Sequence, residues 1–347
     1  MDFYDGTKLL SLKDKNGNPP EIIICTSNRS AGKTTYFSRY CVNRFIKYKE
    51  KFCVLYRYKN ELDDCANKFF KDIQSLFFTE YNMTDKSLCG GSIKALFIQK
   101  NNVTVDCGYA IAINTADTIK KYSHYLSDVT RIIFDEFQSE TNNYCHNEIE
   151  KFMSVHTSIS RGQGKQTRFV PVIMLSNPVT ILNPYYAALG ISDLLKNDTK
   201  FLRGNGYVLE QGYNESASIA IKNSSFAGAF ENVSYSAYNS EGIYLRDELS
   251  FIEKLSGEYK YICNLLFNGK IYAVKEFGNL GIVYVDKKVD KTAKINLAVN
   301  AADMSINYVM LKEYSFLIDT MRYYFNHGAF RFADLECKQI ILKILSY

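Results

Sequence analysis

Glu21-Ile22-Ile23-Ile24-Cys25-Thr26-Ser27-Asn28-Arg29-Ser30-Ala31-Gly32-Lys33-Thr34-Thr35 is a short apolar run that breaks into a polar loop and closes on Gly-Lys-Thr. The run is too brief for a helix and rich in β-branched isoleucine, which predicts a buried strand. The loop has the composition of a phosphate cradle. Successive backbone N–H groups can curl around a polyphosphate, Lys33 supplies a point charge to the β and γ phosphates, and the Thr34 hydroxyl can ligate Mg²⁺. Asn28, Arg29, Ser30, Ala31, Gly32, Lys33, Thr34 and Thr35 are therefore the expected nucleotide-binding set. A helix running to about Lys49 would turn its positive dipole end toward the phosphates. Arg29 either touches phosphate or braces the turn. At its start the pattern carries Ser27 where glycine is usual, so a residue without glycine's freedom must accept the loop's backbone.

A second signal follows about a hundred residues later. Arg131-Ile132-Ile133-Phe134-Asp135-Glu136-Phe137 reads as a buried strand ending in two acids. In that place Asp135 would hold Mg²⁺ through water and Glu136 would polarise the attacking water. An exposed acidic turn is the bland alternative, and the order after a phosphate loop counts against it. Phe169 to Leu175 is a further apolar strand closing on Ser176-Asn177, and in the additional-strand class of P-loop ATPases, which this order resembles, such a polar strand end senses the γ phosphate and links hydrolysis to motion. Together with Phe52 to Tyr58, these runs predict an α/β chain with a mainly parallel sheet, a P-loop NTPase of the additional-strand catalytic-glutamate class. Glu61 to Phe78 has helical spacing, Ile93 to Gln99 and Val103 to Asn114 pair around Asn101-Asn102, and Thr115 to Tyr125 forms a short helix.

Phosphoryl transfer needs positive charge on the transition state. Arg161, in the basic loop Ser158 to Lys165, either reaches a neighbouring subunit's site or is a solvated surface arginine. Lys120 and Lys121 are a second cationic source. Arg57-Tyr58-Lys59 can set a cation on a nucleic-acid backbone, whereas Lys287, Lys288, Lys291 and Lys294 read as a solvated edge.

The chain has 347 residues, more than one small core accommodates. Residues 1–200 form the expected P-loop ATPase domain. The Gly, Asn and Ser-rich stretch 201–244 is the expected linker or lid, and 245–347 the expected α+β tail. In the tail, Tyr259 to Phe267, Lys270 to Glu276 and Gly281 to Asp286 read as strands, and Met310 to Asn326 and Asp334 to Leu345 as helices. Hydrophobic residues make up 46% and charged ones 23%, an ordinary globular balance. A net charge of +5 permits an anionic partner without indicating a heavily basic nucleic-acid wrapper. The nine cysteines contain no C-x-x-C pair, so reduced thiols are expected and a zinc site or disulfide framework is not. Acids near the amino terminus and the lack of a long apolar run point to a soluble, intracellular chain with no membrane partner.

Val42-Asn43-Arg44-Phe45-Ile46-Lys47-Tyr48, Arg57-Tyr58-Lys59-Asn60-Glu61-Leu62, Ile133-Phe134-Asp135-Glu136-Phe137 and Leu175-Ser176-Asn177-Pro178-Val179 carry a family likeness. Asn183-Pro184-Tyr185 and Phe251-Ile252-Glu253-Lys254 continue it. Over nearly its whole length the chain resembles the terminase-like DNA-packaging ATPases of small podophages of the Picovirinae type. The resemblance implies ATP and Mg²⁺ as cofactors and ATP-driven translocation of double-stranded DNA into a viral procapsid. It also implies a homo-oligomeric ring, a pentamer, on the portal (connector), with an RNA scaffold among the candidate partners. Such a motor works in the host cell cytoplasm and transiently at the portal vertex, outside the mature virion. By the same resemblance Arg161 acts in trans, so does Lys120 or Lys121, and Lys59 grips DNA. The loop around Arg161 is longer than the family's pattern, and the segment after Phe137 lacks basic residues sometimes used on DNA.

The tail resembles the RNase H-like nuclease domain of large terminases in a form that has lost cutting. A two-metal nuclease needs an acid in the middle of its first strand, and Tyr259 to Phe267 has none, although Asp286, Asp303, Asp319 and Asp334 are available. Two other readings compete: a large terminase with an active nuclease tail, and a docking module that binds nucleotide without hydrolysing it. The water-activating Glu136 argues against the latter.

Overall fold

Residues 4–141, 143–192, 194–195, 199–229 and 251–345 are described by a computed structural model, and the chain divides into two compact units, 1–246 and 247–347. The first is built on a sheet of β1 (Ile22–Thr26), β2 (Lys51–Tyr56), β3 (Asn82–Leu88), β4 (Ile93–Lys100), β5 (Val103–Ala112), β6 (Val129–Phe134), β7 (Val172–Ser176), β8 (Phe201–Arg203) and β9 (Tyr207–Gln211). Their order is β3-β4-β5-β2-β6-β7-β1-β9-β8. The run from β5 to β9 is parallel, and only the β3-β4-β5 margin and the β9-β8 edge are antiparallel.

Its helices are α1 (Thr7–Ser11), α2 (Lys33–Tyr48), α3 (Cys65–Phe77), α4 (Ala116–Lys121), α5 (Glu148–Ser160), α6 (Pro184–Ala188), α7 (Glu215–Lys222) and α8 (Ser225–Ala229). Alternate strand residues go to opposite faces, as strand geometry requires. Ile24, Leu55, Ile132, Phe134, Val172 and Met174 face one apolar layer. Ile23, Cys25, Val54, Ile133, Ile173 and Leu175 face the other. Because both faces are covered, these strands read as unbroken apolar runs. On α2, Phe37, Cys41 and Phe45 fall on one stripe and fill the second layer. Burying each of those phenylalanines contributes about 1.5–3 kcal/mol. The helix stops at Lys49, whose left-handed backbone (φ 58°) lets its N–H donate to the Phe45 carbonyl.

Three differences from the sequence reading matter. The stretch 201–244 is not a linker throughout: β8 and β9 belong to the sheet, with Ile22 to Thr26 of β1 paired in parallel with Tyr207 to Gln211. Residues 230–250 lie outside the described residues. Second, a helix absent from the sequence expectations, α5, buries Phe152, Val155 and Ile159 against the first layer. Third, β6 stops at Phe134, so Asp135 and Glu136 lie in the turn beyond it.

The second unit has β10 (Lys260–Phe267), β11 (Lys270–Phe277), β12 (Ile282–Asp286), β13 (Asn296–Ala298), β14 (Val309–Met310) and β15 (Phe330–Phe332), ordered β14-β13-β10-β11-β12-β15. The β10-β11-β12 meander is antiparallel, with β13 and β14 running parallel to β10 on one side and β15 parallel to β12 on the other. Helices α9 (Ser315–Asn326) and α10 (Leu335–Leu345) cover it through Met321, Ile340, Ile341 and Ile344. The helical pattern read from Met310 starts late because Met310 is paired in β14. Among the described residues, no helix is long and apolar enough to cross a membrane.

Candidate nucleotide site

Open α/β sheets gather ligands at the carboxyl ends of their strands. Here β1, β6 and β7 are neighbours whose ends carry the phosphate loop, the paired acids and Ser176-Asn177. Thr26 is level with Ser176, and the Ser27 N–H continues the ladder to the Ser176 carbonyl at 3.3 Å. The left-handed positions of the loop are Ser30 (φ 59°) and Gly32 (φ 92°), not Ser27. Ser27 therefore takes the place of glycine without strain, buried at 2% exposure. Gly32 is the N-cap of the 16-residue helix α2, so the first turn's unbonded N–H groups belong to Lys33, Thr34 and Thr35.

The loop is braced from elements far away in sequence. The Asn28 side chain is fully buried and exchanges two bonds with the Asn214 backbone: Nδ2 donates to the carbonyl at 3.0 Å, and Oδ1 accepts from the N–H at 2.9 Å. Asn214 Oδ1 in turn caps α7 through the Ala217 N–H. The Tyr4 N–H donates to the Ala31 carbonyl at 2.9 Å. Arg29 forms an ion pair with Glu140, on the segment after β6. So the Asn28 amide braces the loop from α7, and the Arg29 guanidinium ties it to the segment after β6 while also lining the cavity beside Glu136.

At the centre of the site, Lys33 is 7% exposed and its Nζ donates to Asn177 Oδ1 at 2.7 Å. Burial lowers its pKa, while Asp135 acts in the opposite direction. Thr34 Oγ1 donates to Asp135 Oδ2 at 2.7 Å. Asp135 Oδ1 accepts the Glu136 N–H at 2.9 Å. Burial raises the Asp135 pKa against the Thr34 bond. Glu136 is exposed, yet its pKa is also raised, first by partial desolvation of its carboxyl at the cavity wall and then by the charges of Asp135, Glu140 and Glu61. Its left-handed backbone (φ 55°) turns the chain sharply after β6. The Ser176 hydroxyl donates to the Asn177 carbonyl. Two cavities, of about 430 and 360 Å³, share Glu136; Arg29, Gln138 and Asn177 help line the first, Thr34 and Asp135 the second. A threonine hydroxyl and a carboxylate in contact form a hard oxygen donor set suited to Mg²⁺. A buried ammonium beside a helix N-terminus suits a polyphosphate. The residues present fit both groups.

A brace that sequence reasoning missed stands behind Glu136. Arg57, 8% exposed, bonds Glu148 through Nε at 3.1 Å and donates to the carbonyls of Glu136 at 3.3 Å and Phe137 at 2.7 Å. Glu148, 4% exposed, also accepts from the Tyr185 hydroxyl and the Cys145 N–H, both at 2.6 Å. Arg57 is thus an internal strut, which removes it from the backbone-contacting trio read in the sequence. Lys59 is exposed and donates to the Gly90 carbonyl at 2.9 Å. Arg161 is exposed at the end of α5, before a small turn closed by Gly162 and Lys165. Lys120 pairs with Asp117 at 3.4 Å, and Lys121 is exposed on the same helix. These four cations line neither cavity at Glu136.

In the second unit Asn264, 1% exposed, stands in the middle of β10. The four tail acids are engaged separately: Asp286 with buried Lys275, Asp303 with the Asn268 and Gly269 N–H groups, Asp319 with Arg322, and Asp334 with Lys287 and the Cys337 N–H.

The family model for the podovirus DNA encapsidation protein, Gp16, matches residues 2–346. The chain belongs to that family. It is accordingly a phage DNA encapsidation protein, and two curated relatives are named DNA packaging protein. That of Bacillus phage phi29 is 25% identical over 347 residues, covering 99% of this chain and 96% of the relative. That of Bacillus phage B103 is 26% identical over 294 residues, covering 82% and 84%. Among solved structures, the phi29 viral genome packaging motor assembly contains a chain with a TM-score of 0.72 and 23% identity, covering 99% of this chain and 98% of that one. The encapsidation family's fold thus extends through both units.

Proposed function

We propose that this encapsidation protein is the ATPase of the packaging machine, hydrolysing ATP with Mg²⁺ to drive double-stranded DNA into a procapsid. The observation that carries the reading is the contact between Thr34 and Asp135, which joins the phosphate loop to the acid pair within one hydrogen bond of 2.7 Å. The bound nucleotide supplies the phosphoryl group and the cation neutralises its charge. Lys33 holds the phosphates, and Thr34 and Asp135 hold the cation. Glu136 accepts the proton of the hydrolytic water at its carboxylate, a task favoured by a raised pKa. Asn177, bonded to Lys33, registers the state of the phosphates, with Ser176 supporting it.

The exposed cations suit work between subunits of a ring, a pentamer on the portal in the host cytoplasm. Arg161, with Lys120 or Lys121, reaches the neighbouring site, and Lys59 contacts DNA. The test is ATP turnover with nucleotide binding measured beside it. Glu136→Gln should lose about 10²-fold or more in turnover while still binding nucleotide, and Lys33→Ala should lose binding. Wild-type turnover by Glu136→Gln would falsify the assignment. Mixed rings of Arg161→Ala and Glu136→Gln subunits should depart from additive turnover, and strict additivity would remove the role between subunits.

A further inference from the structure

The site contains one polar side chain whose bonding is incomplete. Gln138, 2% exposed, lies two residues beyond Glu136. Its Oε1 accepts from the N–H groups of Val179 at 3.1 Å and Thr180 at 3.0 Å, just past Asn177. Those two donors fix which end of the amide is oxygen, because a reversed amide would set N–H against N–H. The other end, Nε2, is buried and has no hydrogen-bond partner among the described residues. An unmet buried donor costs about 1–3 kcal/mol, and such groups call for an explanation. Gln138 lines the same cavity of about 430 Å³ as Glu136, Asn177 and Arg29, and Asn177 is bonded to Lys33.

We propose that Gln138 recognises the terminal phosphoryl group, its Nε2 donating to an oxygen that a triphosphate brings into this cavity and a diphosphate does not. The inference rests on the ATPase reading and adds a residue to it. The cavity's own acceptors include the carboxylates of Glu61, Glu136 and Glu140 beside several hydroxyls and side-chain amides, and Nε2 bonds none of them. What suits the donor is therefore an acceptor oxygen arriving with a ligand. The Oε1 end clamps the strand end that carries Asn177 to the turn that carries Glu136. Recognition at Nε2 would thus be felt by both. Gln138 binds substrate directly and takes no part in the proton transfer assigned to Glu136.

The two ends of the amide can be tested separately. Gln138→Glu keeps an acceptor for Val179 and Thr180, removes the donor and adds a charge; Gln138→Leu removes both ends and adds none, so a lost donor must show in both variants. Affinities of the full-length protein for a slowly hydrolysed ATP analogue and for ADP are measured with Mg²⁺, together with thermal unfolding. Gln138→Glu should lower the preference for the analogue over ADP about tenfold or more, the worth of a hydrogen bond to a charged acceptor. Gln138→Leu should lose that preference and also melt earlier. Equal losses for both nucleotides, or an unchanged ratio, overturn the proposal while leaving the ATPase reading intact. Failure of the wild type to bind either nucleotide overturns the ATPase reading instead. Should the variants not fold, the side-chain amide signals of Gln138 in ¹⁵N-glutamine-labelled wild-type protein decide the matter. They should shift and exchange more slowly with the analogue but not with ADP, and an identical response to both refutes the inference.

Discussion

Replacing Glu148 by glutamine tests how much of the site hangs on its internal strut. The change preserves shape and leaves an acceptor for Tyr185 or the Cys145 N–H, but it takes the counter-charge from a guanidinium that is 8% exposed. Removing one partner of a buried ion pair costs about 3–5 kcal/mol. The Arg57 bonds to the Glu136 and Phe137 carbonyls remain, so a loss near the lower end, about 3 kcal/mol, is expected. For a unit of this size, each kcal/mol lowers the midpoint by about 2–4 °C, giving a fall of about 6–12 °C. Calorimetry of the full chain reads this, with the transition of the second unit as an internal reference. The double-mutant cycle with Arg57→Met should give a coupling of at least about 1 kcal/mol, since the two groups touch. An unshifted midpoint, or losses that simply add, would show that Arg57 and Glu148 do not support each other and that Glu136 is held some other way.

If Glu136 is the base proposed above, the acid limb of kcat/KM should lie above the ordinary glutamate value, because that role needs its carboxylate and its free-enzyme pKa is raised. Glu140→Gln removes one raising charge, so the limb should move to lower pH; an upward movement would contradict the electrostatic account. Burial opposes ionisation of Glu336, yet hydrogen bonds from Lys270, Lys287 and Tyr272 hold its pKa down at about 2 against an ordinary 4.5. A depressed acid stabilises the fold above its unfolded pKa, so the second unit should lose stability as pH falls from about 4.5 to about 2. Glu336→Gln should flatten that limb of the melting profile, and an unaltered slope would remove Glu336 as its source. Lys59→Ala should weaken binding of double-stranded DNA and lower the salt slope by about one per contact. An unchanged slope would take Lys59 off the DNA.

What could be read in advance was what lies contiguous in the chain. Ile22 to Thr26, Arg131 to Phe134 and Val172 to Leu175 carry enough apolar residues to reveal buried parallel strands, and Lys33, Thr34, Asp135 and Glu136 follow directly on two of those strands. The missed parts are set by distant pairings. β9 is a strand because β1 lies beside it, while its surroundings, Gly204-Asn205-Gly206 and Gly212, signal turns. Neither the Arg57–Glu148 pair nor the Asn28–Asn214 exchange leaves a local trace, since their partners are 91 and 186 residues apart. Gln138 resembles any loop glutamine until its two backbone partners are known. Ser27 departs from the usual pattern in letter only, because the backbone at that point never enters the left-handed region.

The place of β9 also constrains the order in which the protein can mature. It and β8 are the last strands of their sheet to leave the ribosome, yet β9 covers one flank of the strand that launches the phosphate loop. Until Gln211 has emerged, a nascent chain presents that flank as an unsatisfied hydrogen-bonding edge. A fragment cut at residue 200 would keep the Gly-Lys-Thr sequence but inherit the same exposed margin. Such a fragment should self-associate before it captures nucleotide.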